Sequence, residues 1–330
     1  MPGVIVLSDL EPKIDGAALA AKLAGIHPRV VQLDFGVSRL GRAVQALPAV
    51  DAVLRRFASS RFSLLGRPSV AALLGGHLRS RGHGLGASPP ELTVDFRPGV
   101  RRASRWIDGA PSRLEICATP YPHRVQHASA HWTDAALAAG FELKDACPQL
   151  SFRSATLRRV RVDWSRVARG KPVIVLAPRN RGYGAARLLE VGTAVADRIG
   201  GRAFCVGRNV GGLPRVPARG SYEQAAALRF ASVVIADAGS WCDVAVAAGA
   251  PVVSLHGRSC PVRHGPPPEV GTALSCSCHS PVQHGTRRSR GHRCLRCLPP
   301  SSVTNAAEEL AARRWPWDWA ARVGLWGGGR

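Results

Sequence analysis

The stretch ASVVIADAGSWCDVAVAAGAPVVSLHGRSCPVRHGP, Ala231 to Pro266, reads as strand, turn, helix, strand and a second loop. Val233-Val234-Ile235 is a β-branched run. Asp237-Ala238-Gly239-Ser240 is a tight turn, an alanine-rich segment ends at Gly249 and Pro251, and Val252 to Leu255 is the next strand. Glycine where the backbone must approach something closely, with Ser or Asp at a helix start, aims N–H groups and a positive dipole end at one point. Phosphate is the natural occupant. The second strand runs into Gly257 to Pro266, another loop at the carboxyl edge of the same sheet, where open α/β sheets bind ligands. Spacing alone fits a ligand-free βαβ unit equally well, because one glycine-containing turn is a weak signal.

Composition sets the outer bounds. A chain of 330 residues with 45% apolar residues is long enough for two cored domains. No apolar run reaches the length of a membrane span, and the start MPGVIVLSDLEPK lacks a signal-peptide pattern, so the expected location is the cytoplasm. The formal charge of +23 points to an anionic partner. Lys13, Lys22, Lys144 and Lys171 are the only lysines, so the basic character is almost all arginine. With abundant Ala and Gly this also fits a coding bias.

The central stretch resembles the nucleotide-binding part of the ADP-heptose glycosyltransferases, glycosyltransferase family 9, which holds the lipopolysaccharide and autotransporter heptosyltransferases. Their motif has the form D-[ST]-G-x-x-H, an alanine-rich helix, G-x-P, a strand, then G-x-T-x-P-x-R-x-G-P. Asp237, Gly239, Gly249 and Pro251 fit the first part with one extra residue, and Gly257, Ser259, Pro261, Arg263, Gly265 and Pro266 fit the second. Ala238 replaces the hydroxyl residue, and Cys242 or Asp243 stands at the histidine. The resemblance extends from about Arg29 to Arg313. RVVQLDFGVSRLGRAVQALPAVDAVLRRF looks like the family's opening strand, glycine loop and L-P-A helix, and FSLLGRPSVAALL like strand two and its helix. It implies an α/β protein of the GT-B fold, two facing Rossmann-like domains with a cleft between them. The expected division is an extension at residues 1–28, an acceptor domain at 29–165 and a nucleotide-sugar domain at 166–330. Residues 75–90 read as a polar surface loop and 148–170 as a linker.

One departure bears on catalysis. Counting back from Pro48, the family's catalytic aspartate falls on Arg42, and a guanidinium cannot accept a proton. Asp34 and Asp95, each at the end of a strand, are the nearest carboxylates and the candidate bases, although pairing with an arginine is the plainer role for each. For the donor, Asn180 with Arg181 or Arg187 stands where the family has hydroxyl residues and a lysine, and arginine can replace lysine at phosphate. The diphosphate site is therefore expected at Asn180, Arg181, Arg187, Asp237, Gly239, Ser240, Gly257 and Ser259. No D-x-D pair occurs, so no catalytic divalent metal is expected.

Nine cysteines are present. Cys117, Cys147 and Cys205 lie singly in apolar settings and read as core thiols. Cys276-Ser277-Cys278, fifteen residues, then Cys294-Leu295-Arg296-Cys297 has metal-knuckle spacing and suits tetrahedral zinc or iron. His279, His284 or His292 could replace one ligand. The autotransporter relatives carry a four-cysteine iron finger here.

Three readings follow. The first is an inverting transferase moving a sugar, heptose by resemblance, from an ADP-sugar to an anionic glycolipid or protein acceptor, with peripheral contact at the inner membrane and a possible homo-oligomer. The second is a catalytically silent sugar-nucleotide-binding or assembly partner of the same fold, supported by Arg42. The third is a nucleic-acid-binding zinc protein, supported by charge and cysteines but lacking basic-aromatic stacking motifs.

Overall fold

The computed structural model describes residues 4–6, 21, 23–96, 105–107, 109–116, 127–179, 183–257, 259–275 and 294–323. The chain divides into two compact units, Met1–Ser151 and Phe152–Arg330. No helix among the described residues is long and apolar enough to cross a membrane.

The first unit is built on six strands: β1 (Val4–Val6), β2 (Val30–Asp34), β3 (Arg61–Leu65), β4 (Leu92–Asp95), β5 (Arg105–Ile107) and β6 (Ser112–Glu115), in the spatial order β1-β5-β6-β4-β2-β3. Strands β2, β3, β4 and β6 run parallel, and β5 runs antiparallel between β6 and the edge strand β1. The opening run of the chain thus joins the sheet, with Val4 opposite Ile107. Helices α1 (Leu40–Gln45), α2 (Leu47–Arg56), α3 (Pro68–Ser80) and α4 (Ala128–Ala138) cover it. Pro48 sits in the first turn of α2, where a missing N–H costs nothing. The strand order switches between β2 and β4, the kind of position at whose carboxyl edge open α/β sheets bind ligands.

One reading of this unit changes. Helix α3 continues through Gly75 and Gly76 to Ser80, so the first part of 75–90 is helix, not loop. Two adjacent glycines argue against a helix on propensity, but Leu73, Leu74, His77 and Leu78 are all buried and hold the turn by packing. His77 Nε2 meets Asp51 at 3.0 Å, and its Nδ1 accepts the Ser151 N–H at 3.0 Å, fastening the end of the unit to α3.

The second unit has five parallel strands, β7 (Val173–Ala177), β8 (Arg202–Cys205), β9 (Val233–Asp237), β10 (Val252–His256) and β11 (Gly271–Ser275), in the order β11-β10-β9-β7-β8. The helices are α5 (Ser154–Ala168), α6 (Ala185–Arg198), α7 (Gly220–Leu228), α8 (Ser240–Ala247), the short α9 (Pro261–His264) and α10 (Pro300–Val323). Helix α5 occupies most of the expected linker and belongs to this unit. Its Trp164 is buried, stacks edge-on against Phe204 at 4.7 Å and donates its indole N–H to the Ala227 carbonyl at 3.0 Å. The arginine run 158–161 conceals the apolar stripe Val160, Trp164, Ala168 that makes this an amphipathic helix. Strands β7, β9 and β10 are buried along their whole length, as parallel strands covered on both faces must be. The switch in strand order falls between β7 and β9.

Candidate functional site

In the second unit the loops that leave β7 and β9 are joined by one side chain. Asp237, the last residue of β9, accepts the Arg179 N–H at 2.8 Å and the Tyr183 N–H at 2.7 Å. Its carboxylate therefore closes the ends of the loop containing Asn180 and Arg181, which themselves lie outside the described residues. Burial pushes the Asp237 carboxyl above its usual range, opposed by the same two backbone N–H groups and by the Arg179 cation. The Arg179 guanidinium donates to the Ala238 carbonyl at 3.2 Å, adding a second tie between the loops.

Helix α8 begins directly above β9. Gly239 is its N-cap, with no side-chain cap, and Ser240 stands in the first turn rather than at the cap. The backbone at Gly239 is extended, with φ 168°, so its conformation does not demand glycine. A Cβ there would make only ordinary contacts, 3.6 Å from Arg179 Cδ, which leaves open room in front of the helix start. The far end of α8 is set by Gly249, at φ 76°. Its N–H bonds the Val246 carbonyl at 2.9 Å while the Ala250 N–H reaches Ala245 at 3.0 Å. This paired capping pattern needs a left-handed residue and explains the glycine before Pro251.

The loop after β10 behaves differently. A Cβ on Gly257 would come within 3.1 Å of Leu295 Cγ, so this glycine makes room for the cysteine-bearing turn Cys294–Cys297. Gly265 is similarly constrained, its Cβ position lying 2.4 Å from the Pro261 carbonyl oxygen. Ser259 is partly buried, and its hydroxyl lies 3.1 Å from His256 Nδ1. Arg187 on α6 lies over the Tyr183 ring at 5.4 Å and reaches the Leu295 carbonyl at 3.5 Å. Tyr183 in turn donates its hydroxyl to the Leu298 carbonyl at 3.1 Å. Asp237, Gly239, Ser240, Gly257, Ser259 and Arg187 thus all lie on the loops and helix starts at the carboxyl edge of the sheet.

In the first unit, Asp34 and Asp95 are register partners at the ends of β2 and β4. Both are buried. Arg113 on β6 pairs with Asp95, its Nη2 lies 3.9 Å from Asp34, and its Nε lies 3.7 Å from Glu115. Asp34 also accepts the Gly36 N–H at 2.7 Å, which fixes the turn after the strand. The next residues, Phe35 and Phe96, stack face to face at 5.0 Å, with Trp132 of α4 tilted against Phe96. Arg42 on α1 is exposed. Sequence reasoning missed Arg113, because only strand pairing brings it beside the two aspartates.

Of the cysteine cluster, Cys276 and Cys278 lie outside the described residues, as does the side chain of Cys294. Cys297 is exposed, on a turn held by buried Leu295 and Leu298. Among the described residues no group of three or more His, Cys, Asp or Glu side chains could hold a metal ion. Cys147, read as a core thiol, is exposed, while Cys205 and Cys242 are buried. Cys117 lies outside the described residues.

No protein-family model matches the sequence, and no curated protein matches it. Solved structures do match in fold. A family 9 glycosyltransferase from Veillonella parvula superposes with a TM-score of 0.62 at 14% identity, over 86% of this chain and 98% of its own. The E. coli heptosyltransferase WaaC with ADP gives 0.58 at 13% identity, over 85% and 99%. The dodecameric iron-containing heptosyltransferase TibC of E. coli, in complex with ADP-D-beta-D-heptose, gives 0.53 at 15% identity, over 87% and 77%. These are structures of the family to which the motifs pointed, and the chain has their GT-B-type fold of two Rossmann-like units.

Proposed function

We propose that this chain is an inverting glycosyltransferase that moves a sugar, a heptose in the leading form of the reading, from an ADP-sugar to a hydroxyl of an anionic glycolipid or protein. The observation that carries the reading is the convergence of three loops at the carboxyl edge of the second sheet, after β7, β9 and β10, with Asp237 tying the first two together. Strand order puts the first two at the switch point, where sheets of this type hold nucleotides.

In this reading the diphosphate lies against the start of α8 and the Ser259 hydroxyl, with Asn180 and Arg181 contributing from the β7 loop. Arginine and helix dipole offset the charge of the departing ADP, so that no divalent metal is required. Gly239 keeps the approach open. Asp34 and Asp95 are the carboxylates available to take the acceptor proton, and Arg113 pairs with Asp95 and lies 3.9 Å from Asp34.

Four thiolates, Cys276, Cys278, Cys294 and Cys297, would hold a structural zinc or iron. The described half fits such an anchor, since Leu295 and Leu298 seat it on the core and Gly257 is shaped around Leu295. Bound metal would contribute folding energy to this segment. The relative TibC is described as iron-containing and dodecameric, which supports testing for metal and for homo-oligomers. We place the protein in the cytoplasm, with peripheral contact at the membrane face.

A second reading, a sugar-nucleotide-binding partner without transferase activity, is favoured by one observation: Arg42 replaces the base, and both nearby aspartates are already engaged by Arg113. Thermal-shift screening with ADP-, GDP-, UDP- and dTDP-sugars, followed by donor turnover, decides between them. Stabilisation by ADP-sugars with turnover supports the first, stabilisation without turnover supports the second, and no stabilisation removes both.

A further inference from the structure

Strand β10 carries two polar residues on one face, Ser254 and His256, both fully buried. A central parallel strand is normally apolar throughout, and an uncompensated polar group there costs several kcal/mol on the order of its desolvation. Val253 and Leu255, on the opposite face, belong to the apolar core with α6 and α10. Ser254 and His256 instead form the middle of a chain of hydrogen bonds. The buried Cys242 sulfur, on α8, lies near the Gly239 backbone and the Ser254 hydroxyl. Ser254 Oγ lies 2.8 Å from His256 Nε2, and His256 Nδ1 lies 3.1 Å from Ser259 Oγ. The chain therefore runs from the cap of α8 to the hydroxyl of the β10 loop, beneath both candidate phosphate loops.

We propose that His256 is a positioning residue that sets the polarity of Ser259, so that the Ser259 hydroxyl faces its ligand as a hydrogen-bond donor to a phosphate oxygen. This rests on the nucleotide reading above. A neutral imidazole has one donor and one acceptor nitrogen. With the proton on Nδ1 the links run in one direction: the Ser254 hydroxyl donates to Nε2, and Nδ1–H donates to Ser259. The Ser259 proton is then left pointing outward. With the proton on Nε2, Ser259 would donate inward and present only lone pairs, which repel phosphate. Burial keeps the ring neutral, as the one-way arrangement requires. The charged and titratable groups around the chain are Asp237 and Asp243 beside Cys242, and His264 beside His256.

The test is a double-mutant cycle on the full chain with ADP as the ligand, read by calorimetry. His256→Leu and Ser259→Ala should each weaken ADP about tenfold, and the double variant should be no weaker than Ser259→Ala alone. His256→Gln, whose amide can donate to Ser259 and accept from Ser254, should recover most of the affinity. Losses that add, or a His256→Leu protein that binds ADP like the parent, overturn the proposal. Should His256→Leu not fold, Ser254→Ala is the milder lesion and should weaken ADP severalfold only when Ser259 is present. Nitrogen-15 histidine spectra of the nucleotide-free chain report the tautomer directly: Nδ1–H at neutral pH supports the mechanism and Nε2–H overturns it. A parent with the Nδ1–H tautomer that binds no ADP overturns the nucleotide reading, and the phosphate role with it.

Discussion

The Asp237 carboxylate accepts the Tyr183 N–H at 2.7 Å and so closes a loop whose other end, Arg179, it also holds. Asn has one acceptor oxygen where Asp has two, so Asp237→Asn turns an amide N–H₂ toward one of these donors. An unsatisfied buried donor costs about 1–3 kcal/mol. Asp237→Asn should lower the melting temperature by that equivalent and weaken ADP binding, because the Asn180 loop loses its closure. Unchanged stability in denaturant titration would remove Asp237 as the closing residue.

Gly239 and Gly257 should respond in opposite ways. At Gly239 the backbone is extended and a Cβ meets nothing closer than 3.6 Å, so Gly239→Val should fold normally and lose ADP binding through the side chain's bulk alone. At Gly257 a Cβ meets Leu295 at 3.1 Å, so Gly257→Val should destabilise the fold by about 1–3 kcal/mol through overpacking. Chemical denaturation and ADP calorimetry on both variants check this. Parent-like ADP affinity in Gly239→Val would move the phosphate away from α8.

Buried His256 gives stability a pH dependence of known sign. Burial, followed by the cation of His264, lowers its pKa from 6.5 to about 4, against a smaller opposing effect of the Ser259 backbone. The unfolded chain therefore binds this proton more readily than the folded one. Its contribution to stability is complete above pH 6.5 and is lost as pH falls toward 4, on the order of 3 kcal/mol in total. Denaturant midpoints measured between pH 7 and pH 4 should fall in the parent and fall less in His256→Gln. Equal slopes in both proteins would exclude His256 as the source.

Much of this fold was legible because the sequence changes period at the right places. The runs Val233 to Ile235 and Val252 to Leu255 are apolar throughout, the segment between them is helical, and Gly249 ends it with the capping pattern its position implies. What stayed hidden depends on contacts between distant residues. Gly75 and Gly76 looked like a helix end, yet neighbouring leucines bury that turn. Arginines masked the apolar stripe of α5. The partners of Asp237, the link from Gly257 to Leu295 and the grip of Arg113 on two aspartates all arise from strand order and register. Local sequence contains neither.

The cysteine segment should depend on metal. Elemental analysis of purified protein is expected to find one zinc or iron per chain, lost in Cys276→Ser or Cys297→Ser. Because Leu295 is seated against Gly257, metal loss should also lower the melting temperature of the nucleotide-binding unit. Chelation that leaves melting unchanged, or protein that contains no metal, would refute the knuckle.

Asp34 and Asp95 stand side by side at the ends of β2 and β4, and Arg113 touches both. Removing Arg113 would leave buried carboxylates uncompensated, which is costlier than the pairing is favourable. Their common partner makes the two aspartates separable by substitution, since Asp34 alone also holds the Gly36 N–H. General-base catalysis normally contributes about a hundredfold to ten-thousandfold, so loss of the working base should be unmistakable. Asp34→Asn or Asp95→Asn is expected to lower turnover at least tenfold with ADP affinity nearly unchanged, with Asp34 the stronger candidate because it ends β2, the strand that leads into α1 and Arg42. Steady-state kinetics beside calorimetry separates the two effects. Normal turnover in both variants would place the base elsewhere. A parent that binds ADP-sugars but neither transfers nor hydrolyses them would point to Arg42, and gain of turnover in Arg42→Asp would then show that the silent state arose at that position.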